Sequence, residues 1–193
     1  MSRLGAKILA FAGSSREGSF SQMLLSYTVE QVRGYGGEVT EVDLRALDLP
    51  IYDGDIERDR GLPPGAVHFR NLMKQHPALL IGVTEYNGGV TPLLKNAIDW
   101  ASRPHDGEPS LSAIRGKVVG MVSCSAGLLG GSRAQAHLRQ SFQVMGCLLV
   151  PETVTVPHAT GAFEEGRPTD AGVRDFVQIV ARRLVDTATR FAP

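Results

Sequence analysis

Residues Lys7–Ser21 read KILAFAGSSREGSFS. The apolar run KILAF gives way to two glycines, four serines and one arginine, and a helical pattern follows only afterwards. A buried strand that leaves its sheet through small polar residues and then enters a helix is the opening unit of a βαβ chain. It sets glycine amides and serine hydroxyls at a helix N-terminus, where they suit an anion. In the helix, Leu25, Val29 and Val32 recur at i, i+4 and i+7, and Gly34, Gly36 and Gly37 end it.

The same rhythm continues through EVTEVDL (38–44), ALLIGV (78–83), KVVGMVS (117–123) and LLVPETVTV (148–156). Several of these runs are apolar at consecutive positions, as strands are when helices cover both faces of a parallel sheet. An α/β fold is therefore expected, a five-stranded doubly wound parallel sheet in a single domain over 1–193. Thr91 is placed to cap a helix with Pro92 at its first position and Leu94, Ala97, Ile98 and Ala101 on its buried stripe; Arg103-Pro104 stops it. A last helix, capped near Thr169 or Asp170, carries Val173, Val177, Val180 and Leu184 on one face.

Twenty Lys and Arg residues balance twenty Asp and Glu residues. That balance offers no electrostatic basis for a nucleic acid or an anionic membrane, so a small-molecule partner is expected. Arg3 and Lys7 ahead of ILAFA imitate a signal peptide, but the apolar run is too short, and no other stretch approaches a membrane span. Cys124 and Cys147 are too few for a disulfide framework and lack zinc or C-x-x-C spacing, which makes a reducing cytoplasm the expected setting. His68, His76, His105, His137 and His158 have no ligand spacing, and no metal site is read.

In a doubly wound sheet the ligand crevice forms at the carboxyl ends of the strands. Three loops gather there: GSSREGSFS (13–21), TEYNGGV (84–90) and SCSAGLLGGSR (123–133). The first offers Ser14, Ser19 and Ser21 hydroxyls, the Arg16 charge and backbone amides to a phosphate monoester; it lacks the lysine of a Walker A loop and the G-x-G-x-x-G of a dinucleotide site. The second sets the Tyr86 ring beside backbone that a flat ligand can approach. The third could donate amides to ring carbonyls. It also contains S-x-S-x-G at Ser123–Gly127, with Glu152 and His158 following in hydrolase order, although the elbow's first glycine is missing and LLGG delays the helix.

Taken together, GSSREGSFS, EYNGGVTPLLKNAIDWASRP (85–104) and GLLGGSRAQAHLRQ (127–140) resemble the NAD(P)H-dependent FMN reductase family of flavodoxin-like proteins, which includes quinone, azo-dye and chromate reductases. The resemblance implies a three-layer flavodoxin-like fold. It implies FMN as cofactor, NADPH or NADH as co-substrate and a small-molecule oxidant. It assigns Ser14, Arg16, Ser19, Phe20 and Ser21 to the ribityl phosphate, Glu85, Tyr86, Asn87 and Gly88 to the border of the isoalloxazine ring, and Ser125 to its polar edge, with no protein acid or base. Thr84 stands where family members usually have proline, and Ser21 where they have asparagine. The alternatives are a flavodoxin-type electron carrier, whose usual acidic docking surface a net charge of zero does not support, and a hydrolase built on Ser125. The resemblance further implies a homodimer or homotetramer, and Leu93 and Trp100 form a second apolar edge from which Trp100 is expected to be buried by a neighbouring copy.

Overall fold

The computed structural model describes residues 5–191; Arg3 lies outside the described residues. Ile8, Leu9, Ala10 and Phe11 are all fully buried, and so are Ala78–Ile81 on the next strand inward. Such strands can exist only between two layers of helices. The chain runs β1 (Lys7–Ala12), α1 (Phe20–Gly34), β2 (Glu38–Val42), α2 (Gly54–Arg60), α3 (Pro64–Gln75), β3 (Ala78–Val83), β4 (Glu85–Tyr86), β5 (Gly89–Val90), α4 (Pro92–Ala101) and β6 (Val118–Cys124). It continues through α5 (Ser132–Val144), β7 (Leu148–Leu149), β8 (Val154–Val156), β9 (Phe163–Glu164), β10 (Arg167–Pro168) and α6 (Ala171–Phe191).

The main sheet has the order β2-β1-β3-β6-β7, all parallel, with β8 taking up the edge beside β6 after β7. The parity of each strand divides the core. Leu9, Phe11, Leu79, Ile81, Val119 and Met121 face α3, α4 and α5, whereas Ile8, Ala10, Leu80 and Val118 face α1 and α6. The expected five strands are present, but the fifth is broken: Val150 to Thr153 stand opposite only Gly120 and Met121. Pro151 has no N–H to give the ladder, and the Thr153 hydroxyl donates to the Met121 carbonyl at 3.0 Å instead. Asp170 caps α6 as expected, accepting from the Val173 amide at 2.9 Å.

Two expectations are corrected. Thr91 is the first residue before α4, yet its hydroxyl does not cap that helix. It donates across the sheet edge to the Gly13 carbonyl at 2.6 Å, in a buried contact. Gly13 also donates its amide to the Gly82 carbonyl at 2.9 Å, and a Cβ at Gly13 would meet Thr91 Oγ1 at 3.0 Å and the Thr84 nitrogen at 3.3 Å. A glycine suits that position because the Thr91 and Leu94 side chains and the Thr84 backbone close on it. Trp100, in turn, is fully buried within its own chain. Its indole N–H donates to the Pro50 carbonyl at 2.8 Å and its ring meets Tyr52 edge-on at 5.0 Å. Arg103 fixes this cover by pairing with Glu57 at 2.8 Å over the Tyr52 ring. No second copy is required to bury it.

Thr91→Val should lower the urea unfolding free energy by about 1–3 kcal/mol, the cost of a buried carbonyl left without its donor. Thr91→Ser should recover most of that loss, and comparison of the two unfolding curves checks the assignment.

Candidate functional site

The loop after β1 is built to receive an anion. Ser19 is the N-cap of α1 and accepts from the Gln22 amide at 3.4 Å, Gly18 takes the left-handed conformation with φ of 65°, and no acidic residue occupies the first turn. The amides of Phe20 and Ser21 find no acceptor among the described residues, so they remain available at the positive end of the helix. Arg16 braces the loop by donating to the Glu17 and Gly18 carbonyls, each at 3.1 Å, and its guanidinium lies 5.7 Å from the centre of the Phe20 ring. Phe20 itself stacks on Phe163 of the β9–β10 hairpin, which no sequence signal announced. Ser14 and Arg16 border a small crevice beside Glu41 and Asp43. Ser19 and Ser21 do not line it; both are buried, and the Cys124 thiol reaches toward the Ser21 oxygen at 3.8 Å.

The second loop is a hairpin. β4 pairs with β5, and Asn87 and Gly88 between them have φ of 51° and 79°, the consecutive positive values that an Asn-Gly turn supplies readily. The Glu85 side chain is 7% exposed and both its oxygens are committed. Oε2 accepts from the Ala134 amide in the first turn of α5 at 3.1 Å, and Oε1 accepts from Arg133 at 2.8 and 3.1 Å. α5 has Gly131 at its N-cap position and no side-chain cap of its own. Glu85 supplies that cap from another loop. Burial alone would push its carboxyl up, but the Ala134 amide and the Arg133 guanidinium outweigh burial and hold it below the ordinary value.

The third loop faces the hairpin across a cleft of about 780 Å³ lined by Glu85, Asn87, Gly88, Ser125–Leu129 and Arg133. Tyr86, 53% exposed, does not line it. The Ser125 amide is already bound to the Val156 carbonyl, while the amides of Ala126 and Gly127 have no acceptor among the described residues. Gly130 lies against the backbone of Val156 and Pro157, where a Cβ would come within 2.8 Å. The hydrolase arrangement is not assembled: Glu152 is paired with Arg183 at 2.9 Å, and among the described residues no hydrogen bond joins Ser125 to His158. Nor is Ser125 on the strained, positive-φ backbone of a nucleophile elbow.

At the meeting point of the first two loops the Thr84 hydroxyl is buried without a hydrogen-bond partner. An anion cradle, a largely apolar cleft with two free amides and an unpartnered hydroxyl near both fit a ligand with a phosphate at one end and a flat heterocycle with polar edges at the other, the form of FMN. Burial pushes both thiols, Cys124 and Cys147, up to about 11, so neither is a thiolate at neutral pH. Among the described residues no group of His, Cys, Asp and Glu could hold a metal ion, and no helix is long and apolar enough to cross a membrane.

The sequence profile described as NADPH-dependent FMN reductase matches residues 6–161. An NAD(P)H-dependent FMN reductase of Pseudomonas aeruginosa is 35% identical over 176 residues, covering 89% of each chain. A quinone reductase of Escherichia coli is 35% identical over 144 residues, covering 75% of this chain and 73% of its own. Among solved structures, a flavoenzyme NAD(P)H:(acceptor) oxidoreductase from Paracoccus denitrificans superposes with a TM-score of 0.78 at 24% identity, covering 96% of this chain and 98% of that one. The last likeness confirms the flavodoxin-like fold.

Glu85→Gln should destabilise the protein by about 1–3 kcal/mol at pH 7, since an ionised acceptor of three hydrogen bonds is lost. Because folding lowers the carboxyl's pKa, its contribution is complete above the ordinary value of 4.5 and disappears as pH falls through the folded value. Unfolding curves of the two proteins should therefore converge in acid. Iodoacetamide at pH 7 should label neither cysteine until the protein is unfolded, as mass spectrometry will show.

Proposed function

The chain belongs to the NADPH-dependent FMN reductase family, and we propose that it binds one FMN and uses NADH or NADPH to reduce a small-molecule oxidant. The classes of oxidant that fit are free flavin, a quinone, an azo compound and a metal oxyanion. The observation that carries this reading is the hydrogen bond from Thr91 to Gly13, which ties the loop of an anion-accepting helix terminus to the segment that follows the cleft's hairpin. When bound, FMN supplies the hydride chemistry.

The chain's own groups bind and orient. The Phe20 and Ser21 amides would take the phosphate, with Ser14 and Arg16 at the rim, the buried Ser19 hydroxyl capping the helix start and the Ser21 hydroxyl lying against Cys124. Asn87, Gly88 and the Ala126 and Gly127 amides would border the ring, with Ser125 at its polar edge. These donors would favour the negative charge that the ring gains on reduction. Glu85 serves them indirectly, since its carboxylate is spent on α5 and Arg133. Tyr86, Leu128 and Leu129 are exposed apolar side chains around the cleft, and they support assembly into a homodimer or homotetramer on this face in place of Trp100. Two unpaired thiols suit a reducing compartment such as the cytoplasm.

Flavin released from the purified protein should be FMN rather than FAD, and nicotinamide oxidation should require it. Arg16→Ala should weaken FMN binding roughly 10- to 100-fold through loss of a charged donor and loop brace, and should leave riboflavin, which has no phosphate, nearly unaffected. Fluorescence titration with the two flavins measures both, and equal losses for both would place Arg16 away from the phosphate.

A further inference from the structure

We propose that Thr84 is a side-chain ligand for the polyol chain that joins the phosphate of FMN to its ring. The inference rests on the FMN reading above and concerns a residue at which this chain departs from the family's usual proline. Thr84 follows the last residue of β3 and precedes Glu85, so it stands at the carboxyl edge of the sheet between the phosphate loop and the ring hairpin. Its nitrogen lies 3.3 Å from where a Gly13 Cβ would be, directly against the start of the phosphate loop. A ligand with its phosphate on the α1 terminus and its ring in the cleft must pass its linking chain near this point.

The Thr84 hydroxyl has neither a protein partner nor contact with solvent, although the residue as a whole is only half-buried. Proline carries no such group, and valine would fill the same space without one. A buried hydroxyl without a partner is a cost that native structures rarely retain without a use. Rotation about Cα–Cβ into another staggered well moves the hydroxyl out of its buried position into the one that the methyl or the hydrogen now holds. There it can both donate to and accept from an alcohol. A sugar-alcohol chain is the part of FMN that offers such partners in series.

The test uses the full chain stripped of flavin, with wild type, Thr84→Val and Thr84→Ser titrated against FMN and against lumiflavin, which keeps the ring and lacks the chain. Thr84→Val should bind FMN about 3- to 10-fold more weakly, the effect of one neutral hydrogen bond. Thr84→Ser should stay close to wild type, and lumiflavin should bind all three proteins alike. Without flavin, Thr84→Val should unfold at higher urea than wild type, because an unpartnered polar atom has been removed. Unchanged FMN affinity in Thr84→Val overturns the proposal, as does an equal loss for lumiflavin, or a flavin-free Thr84→Val no more stable than wild type. A wild type that binds no FMN refutes the functional reading itself.

Discussion

The molecule is organised by the burial of β1 beyond Lys7, and of the whole of β3 and β6, between two helical layers. Strands packed on both faces leave little room for polar side chains along their length, Ser123 near the end of β6 being spent on the Gly130 carbonyl, so binding groups are confined to the places where the chain leaves the sheet. All three central strands are parallel, and their exits fall on one edge. The site is thus assembled from segments far apart in sequence without any of them needing structure of its own. What remains is to hold the exits in register. Thr91 does this for the first two by bonding Gly13, and Glu85 does it for the second and third by capping α5.

These two contacts differ in physical character. The first is neutral and buried and acts over a short distance, so it fixes a position. The second couples a carboxylate to a helix terminus and a guanidinium, so it also fixes a charge. A carboxylate held so firmly has no capacity left to accept a proton near neutrality. The cleft therefore sets a few donors, the Ala126 and Gly127 amides among them, into a wall that is largely apolar and includes Leu128 and Leu129, which suits a flat heterocycle with polar edges.

The sequence made the sheet, its order of elements and the three loops readable, because apolar runs and helical periods are local properties. The stripes of α1, α4 and α6 fell where their spacing put them. The misreadings concern partners remote in sequence. Trp100 lies on a helix whose inner stripe is already complete, and nothing nearby shows that Pro50 and Tyr52 will cover it. Thr91 has the form of an N-cap, and only the fold reveals that Gly13 competes for its hydroxyl. Glu85 was readable as a cleft residue but not as the cap of a helix that starts 47 residues later, at Ser132. The absence of a capping side chain at Gly131 was the one available hint. The β9–β10 hairpin involves two residues on each side, too few to generate a period.

The interruption of the fifth strand bears on how this chain behaves in crowded solution. A parallel sheet of this kind has two free margins, and a long straight margin is a template on which another chain can add a strand, the first step toward amyloid-like aggregation. Here one margin is β2, which carries Glu38 and Glu41, with Glu41 paired to Arg33. The other is divided into pieces of two and three residues by an insertion containing Pro151. Neither piece is long enough to seat a six-residue intruding segment. The break thus protects the colloidal integrity of the folded protein and of late folding intermediates, at the expense of a few ladder hydrogen bonds.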